Sequence, residues 1–328
     1  MSSFNEDELC FPELLNSSCR RTIHTHFESM FIHIIMSSMS IVTVFLNMLV
    51  IISISHFKQL HTPTNLLLLS LAVSDCVVGF FFIFQIILIS GCWFLGDIMC
   101  LMYGVVGYII ISTSIGTMVL ISVDRYVAIC YPLHYPTKVS TKRTDICIFL
   151  CWVFCVLFNS LILRDNLEQP GRYNTCVGQC VIHVDYASGL VDMILCFIVP
   201  VTVIIVLYMR VFVVAASQAQ AMRSHITSVT LKCSTKVTAK KSELKAAITL
   251  GVVVVVFLIC ACPYYCILLS GQDSMLNVSS STFIICLFYF NSCLNPLIYA
   301  LFYPWFRKSI KLIVTLKILK ADSCDTSM

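Results

Sequence analysis

Long, unbroken apolar runs alternate with short polar intervals along the chain. The runs lie near 31–55, 65–90, 101–128, 146–163, 187–216, 246–270 and 281–303. Each approaches or exceeds the ~20 residues that a helix needs to cross the hydrocarbon core of a bilayer. None alternates polar and apolar positions in the ~10-residue pieces of a lipid-embedded barrel, so helices are expected. The pattern predicts an all-α membrane protein: a seven-transmembrane helix bundle over 31–303, after an amino-terminal tail, 1–30, and before a segment, 304–328. In that last segment WFRKSIKLIVTLKILK follows Pro304 and places apolar residues on one face and cations on the other. A short amphipathic helix lying on anionic lipid requires that division.

Composition narrows the class. Hydrophobic residues make up 59% of the 328 and charged residues 12%, with a mean hydropathy of +0.92. A water-soluble domain carries about 25% charged residues, so a soluble fold and a disordered chain are both excluded. The net charge of +4 is too small and dispersed for a nucleic-acid binder. The tail is the longest polar stretch, which leaves no room for a separate enzymatic domain.

Five acids and two cations in residues 1–30 are unlike a cleavable leader, so the first span is expected to be its own uncleaved targeting signal. Seventeen of the 21 Lys and Arg fall on one side: Lys58, Arg125, the trio Lys138, Lys142 and Arg143, seven from Arg210 to Lys245, and five after span seven. The positive-inside rule makes that side cytoplasmic and puts the amino terminus outside. Asn16-Ser17-Ser18 and Asn277-Val278-Ser279 are then glycosylation acceptors on the outer side.

Most of the 19 cysteines fall inside spans, where Cys147, Cys151 and Cys155 read as small apolar residues. Cys10, Cys19, Cys92, Cys100, Cys176 and Cys180 face the oxidising side and can pair, in a connectivity that spacing leaves open. Polar residues stranded in the spans carry more information, because such groups are costly in lipid unless they face a cavity or a partner. Asn47, Asp75, Ser114, Asn291, Ser292 and Asn295 recur near mid-membrane. They form either a structural hydrogen-bond cluster or a hydrated cation or water network, with sodium the one candidate metal. Asp124-Arg125-Tyr126 ends span three, and Glu243 begins span six on the same side, so an acid and an arginine on two helices suggest a cytoplasmic latch.

These residues together resemble a rhodopsin-like (class A) G-protein-coupled receptor over essentially the whole chain. The signatures stand in order: Asn47, LAVSD ending at Asp75, Cys100, DRY at 124–126, Trp152, Pro200, Pro263 and NPLIY at 295–299. NSCLNPLIYALFYPWF at 291–306, CFP at 10–12 and CVGQC at 176–180 are similar to the trace amine-associated receptors. The resemblance implies a Cys100–Cys180 bridge pinning the second outer loop to span three, and a Cys10–Cys176 bridge pinning the tail to that loop. Cys19 is left as a free thiol or an alternative partner for Cys176. It also implies that Arg125 and Glu243 pair at rest and part when span six swings outward, with Tyr208 and Tyr299 filling the gap and Asn295 and Pro296 belonging to the same signalling switch.

In that family an aspartate eighteen residues before the DRY arginine usually holds the ligand amine. Here that position is Gly107, and YGVVGYII around it contains no acid. Span five carries one instead. Asp192 lies eight residues before Pro200, ~12 Å above it at 1.5 Å per residue. It is the only acid well inside the outer halves of the spans, and no Lys or Arg shares those halves. A carboxylate without a counter-ion invites a ligand cation; the other readings are a protonated, locally bonded acid, or one reaching the wet mouth beside Asp185. The departure resembles a fish-type branch of the trace amine-associated receptors that holds amines from span five. Tyr108, Ile111, Ser188, Cys196, Tyr264, Tyr265 and Tyr289 match family positions lining the cavity, and tyrosines supply an apolar wall, a hydroxyl and a cation-facing ring. Ala261 stands where the family carries a tryptophan that moves on activation, leaving Phe257 as a packing switch and Tyr264 or Tyr265 to restore bulk.

The implied function is a plasma-membrane chemosensory receptor, olfactory as most of that family are, that recognises small amines and couples to a stimulatory G protein and cyclic AMP. No cofactor is expected, and the implied partners are an amine, a heterotrimeric G protein and membrane lipid. The alternative is the same fold sensing an uncharged or peptide ligand, with Asp192 structural. A transporter lacks its polar pathway and internal repeat. An intramembrane enzyme lacks its catalytic set, with His33 the one histidine in a span. A retinal pigment lacks a lysine within 281–303.

Overall fold

The computed structural model describes residues 9–14, 16–21, 26–226, 251–266, 278–319 and 324. Its long helices are α1 (His26–His56), α2 (Pro63–Ile89), α3 (Gly96–Cys130) and α4 (Thr141–Ile162). α5 runs as Tyr186–Met193, passes through a π-helical turn at Ile194–Ile198 and continues as Val199–Ile226. α6 is Gly251–Cys266, α7 is Val278–Phe302 and α8 is Pro304–Val314. Among the described residues, Ser29–His56, Pro63–Ile89, Gly96–Cys130, Thr141–Ile162 and Tyr186–Val214 are each long and apolar enough to cross a membrane. Gly251–Cys266 is a shorter apolar helix, and Ile284–Ala300 is followed by Pro304–Val314 at an angle of 96°.

Local chemistry sets the helix ends. Thr62 caps α2 by accepting from the Asn65 amide, and Pro63 occupies the first turn, where its missing N–H is no loss. Asp185 caps α5 by accepting from the Ser188 amide at 3.0 Å, and the Ser188 side chain together with that amide holds its carboxyl below the usual aspartate range. Pro200 has no N–H and its ring crowds the carbonyl four residues back, at Cys196. The π-helical turn that contains Cys196 absorbs the conflict. One extra residue in a turn rotates everything before it by about 100° against the helix below, which sets the direction of Asp192.

α3 packs on α2, α4 and α5, and α1 on α2, α7 and α8. The main apolar core joins Leu68, Leu71, Ile115, Met118, Ile204, Phe257 and Tyr299 across α2, α3, α5, α6 and α7. Trp152 Nε1 donates to Ser70 Oγ at 3.1 Å, tying α4 to α2. Otherwise α4 buries only Thr144, Cys155 and Asn159. Phe45, Phe80, Phe149, Leu161 and Phe212 are more than half exposed, a belt of bulk whose fitting solvent is lipid.

α1 and α2 meet at a glycine. A Cβ on Gly79 would stand 2.7 Å from Val44 Cγ2, and Ser40 Oγ donates to the Gly79 carbonyl at 2.7 Å. Gly79→Ile should force the two helices apart at a cost of about 1–3 kcal/mol. The check is a thermal melt of the purified protein in detergent, where the midpoint should fall; an unchanged midpoint would show that α1 yields without penalty.

α8 turns its apolar face inward. Phe306 and Ser309 are buried, Trp305, Ile310 and Ile313 pack on the main core, and Arg307, Lys308 and Lys311 are exposed. The apolar face is thus spent on the bundle, and the cations face away from it.

Candidate functional site

At the end of the bundle that bears the tail, three disulfides staple the connecting segments: Cys10–Cys92, Cys19–Cys176 and Cys100–Cys180. The Cys100–Cys180 bridge is the expected one. The Cys10–Cys176 pairing is not formed, and Cys19 is not a free thiol. The tail folds back on itself, with Leu14 N–H bonded to Phe11 O, Ser17 N–H to Leu14 O and Cys10 N–H to Cys19 O. Its returning limb then docks on the loop before α5, where Cys19 N–H donates to Val177 O and Val177 N–H to Ser17 O. That limb brings Cys19 beside Cys176 and leaves Cys10 facing Cys92, at the start of α3's approach. Asn16 is exposed at the turn, whereas Asn277 lies outside the described residues.

Beneath this cap lie the residues singled out from the sequence. Asp192 is half-buried in α5, and its Oδ1 is enclosed without a hydrogen-bond partner among the described residues. Cys196, one turn on and buried, is its hydrogen-bonding neighbour. Tyr108 of α3 and Tyr265 of α6 both lie within electrostatic reach of the carboxylate. Tyr265 is 4% exposed and stacks on Phe197 with ring centroids 3.8 Å apart. Tyr264 meets Tyr265 at 5.3 Å and Phe288 at 5.0 Å, and Phe288 continues to Tyr289 at 5.7 Å. Asp192, Cys196, Tyr108, Tyr264, Tyr265 and Tyr289 are thus joined into one aromatic wall around an acid.

Three candidates sit apart from that wall. Ile111 is half-buried against the main core, and Ser188 is spent, through its amide, on the start of α5. A Cβ on Gly107 would meet only Phe81, at an ordinary 3.6 Å, so the position has room for a side chain. Ala261 is buried in the core with Phe257, and the bulk missing there is carried one turn along by Tyr265. Sequence reasoning missed Phe197 and Phe288, each adjacent to a residue it named. It also missed Tyr103, whose hydroxyl donates to buried Gln85 at 2.6 Å and whose ring stacks on Phe81.

Deeper in the bundle, Asp75 accepts from Ser292 Oγ at 2.8 Å and from Asn295 Nδ2 at 2.7 Å. Asn47 Nδ2 donates to Thr43 O and Ser292 O, and Ser114 Oγ donates to Ser74 Oγ at 2.8 Å. Oδ1 of Asn47, Asn291 and Asn295 are buried without a partner among the described residues. A carboxylate among orphaned amide oxygens is the hard donor set that a small cation such as sodium uses, so Asp75, Ser114, Asn291 and Asn295 fit that ion.

At the opposite end, Arg125 is buried and pairs with its neighbour Asp124 through Nε at 3.0 Å and Nη2 at 2.5 Å. Nη2 also bonds Thr64 of α2, whose hydroxyl donates to Asp124 Oδ2 at 2.8 Å. Tyr135, in the short turn Tyr135–Lys138, donates to Asp124 Oδ1 at 2.8 Å. Burial and the Asp124 charge push its phenol up to about 12, so it stays a donor at neutral pH. Tyr126 lies 3.5 Å from the Tyr131 hydroxyl. Tyr208 and Tyr299 enclose hydroxyls without a partner among the described residues, and Pro296 lies inside α7. Glu243 lies outside the described residues.

The family model described as 7 transmembrane receptor (rhodopsin family) matches residues 46–299. The chain belongs to that family. Among its relatives, Trace amine-associated receptor 13c of Danio rerio is 36% identical over 341 residues, covering 99% of this chain and 97% of the relative. Trace amine-associated receptor 8a of Rattus norvegicus is 36% identical over 333 residues, with 98% and 96% covered. Trace amine-associated receptor 6 of Pan troglodytes is also 36% identical, with 98% and 95% covered. This rhodopsin-family chain is therefore a multi-pass G-protein-coupled receptor and not an enzyme, with the seven-helix bundle that its apolar runs predict.

Proposed function

We propose that this receptor lies in the plasma membrane with residues 1–30 outside, binds a small amine whose ammonium is held by Asp192, and signals through a stimulatory heterotrimeric G protein to cyclic AMP. An olfactory role goes with that reading. The observation that carries it is the enclosed, unpartnered Oδ1 of Asp192 beside a wall of tyrosines, in spans whose outer halves hold no Lys or Arg. A carboxylate that gives up water needs a counter-charge, and a ligand ammonium supplies one while meeting the aromatic faces. The names of the relatives agree with this chemistry. The test is a cyclic-AMP reporter screen of primary, secondary, tertiary and di-amines beside neutral isosteres. Amines alone should activate; a neutral or peptide agonist of equal potency would overturn the assignment.

The output end follows the family scheme. Glu243 restrains Arg125 at rest, so Glu243→Ala should raise basal signalling. An attraction of about 1–4 kcal/mol at 4 Å, set by the effective dielectric, shifts a two-state population measurably. Basal cyclic AMP at matched surface expression checks this, and no rise would assign the resting state to the Asp124, Thr64 and Tyr135 contacts instead. Asn16 is proposed as a glycan carrier, Asp75 with Asn291 and Asn295 as the sodium ligands, and α8 as the lipid contact.

A further inference from the structure

The tail, the α2–α3 connection, the start of α3 and the loop before α5 line an open cavity of about 440 Å³ at the outer end of the bundle, in which Asp97 is solvent-exposed. Its lining includes Phe11, Trp93, Phe94, Asp97, Asn174 and Gln179. Asp97 is the only charged residue in that lining. Most of the polar groups are already committed. Gln179 Oε1 accepts from the Thr175 amide and hydroxyl at 2.8 and 2.9 Å, and Asn174 Oδ1 accepts from the Val181 amide at 3.0 Å. Asn174 Nδ2 donates to Asp97 Oδ1 at 2.8 Å, and Trp93 Nε1 donates to Gly96 O at 2.9 Å. Asp97 Oδ2 accepts no hydrogen bond from the described residues. Phe11 and Phe94 meet edge to face at 5.6 Å.

We infer that this cavity is a second ligand site, one that takes a small organic ammonium on Asp97 Oδ2 against the aromatic faces. A single carboxylate is too few donors for a divalent metal, and the lining has no cation to receive an anion. A lone negative charge beside aromatic rings selects an organic cation. The site is preformed. Cys10–Cys92, Cys19–Cys176 and Cys100–Cys180 fasten its walls to one another and to α3, so little ordering remains for the ligand to bring about. The carboxylate is also held in place from behind. Gly171 has φ of +74°, and a Cβ there would stand 2.5 Å from Asp97 Oδ2.

The inference is independent of the amine anchor proposed at Asp192. The experiment is a saturation-transfer NMR titration of the full-length receptor in nanodiscs, with 2-phenylethylamine as probe and 2-phenylethanol as its neutral control. Parent, Asp192→Asn, Asp97→Asn and the double variant are compared. Asp192→Asn should keep a weak saturable amine step, on the order of millimolar, that the alcohol does not show. Adding Asp97→Asn, which keeps the acceptor for Asn174 and removes the charge, should weaken that step about tenfold. Gly171→Ala, which displaces the carboxylate, should do the same with Asp97 intact. A single variant with no saturable step, a double variant that binds as the single does, or an alcohol that binds as the amine does would each overturn the site. Should the strong step survive Asp192→Asn, the anchor in α5 fails, while the Asp97 comparison still decides the cap.

Discussion

Asp192→Asn is expected to weaken amine potency by about two to four powers of ten while leaving surface expression intact. The substitution keeps size and hydrogen bonding and removes the charge. Breaking a desolvated ion pair on one side costs about 3–5 kcal/mol, which is that loss in affinity. Expression should survive because no described residue hydrogen-bonds Asp192 Oδ1, so folding does not depend on the charge. Gly107→Asp makes the complementary case. The position has room for a Cβ, and two carboxylates across one cavity should shift preference toward diamines whose length matches their spacing, unless one takes up a proton to relieve the repulsion. A concentration-response series on both variants measures this, with monoamines and diamines side by side.

Loss of the Cys100–Cys180 bridge should have the second largest effect. Removing a native disulfide typically costs 2–5 kcal/mol, and this one fastens the loop before α5 to the start of α3 across 80 residues of chain. The same loop is packed against the helix without clearance, since a Cβ on Gly104 would stand 2.5 Å from Ile182 Cγ1. Cys180→Ser should therefore abolish most surface expression, measured by flow cytometry on an epitope-tagged receptor. Cys19→Ser should leave expression largely intact, because Cys19–Cys176 fastens only the tail. Nonreducing peptide mapping gives the connectivity itself. Peptides joined as Cys10–Cys92 and Cys19–Cys176 are expected, and Cys10 joined to Cys19 or to Cys176 would refute the cap as described.

The contrast between the two bridge assignments shows what sequence conveys and what it does not. Cysteine depth could be read from hydropathy, because a bilayer forces helices to be apolar over a fixed length, and six outer cysteines followed from that. Which of them meet depends on the reversal of the tail between Phe11 and Ser17, a turn held by three backbone hydrogen bonds that no periodicity announces. The spans themselves were legible for the same reason as the depths. α3 extends beyond its apolar run, to Gly96 and Cys130, because a helix continues where its end is packed and bonded as well as where lipid demands it. Pro200 entered the sequence reading as a signature and a marker of height, and packing chose the π-helical turn that aims Asp192.

The candidate site divides along similar lines. Asp192 stood out in the sequence because an acid in an apolar run is costly, and the enclosed oxygen is the physical form of that cost. The tyrosines on α3, α6 and α7 were named by position, but the stacking of Tyr265 on Phe197 was not. Ala261 revealed that bulk was missing, and the destination of that bulk was a matter of three-dimensional packing between α5 and α6. Asp97 carried no signal at all, since an aspartate in the first turn of a helix is ordinary. Its interest arises only when the tail brings Phe11 and Ser17 into the same cavity.

The central claim is that the ammonium of the ligand rests on Asp192. A cryo-electron microscopy structure of the receptor with its amine agonist and G protein tests that contact directly. The expected result is the amine nitrogen within about 4 Å of the Asp192 carboxylate, with tyrosine rings from α3, α6 and α7 around its alkyl portion. An amine nitrogen seated elsewhere in the bundle, with the Asp192 carboxylate turned away from the ligand, would contradict the account.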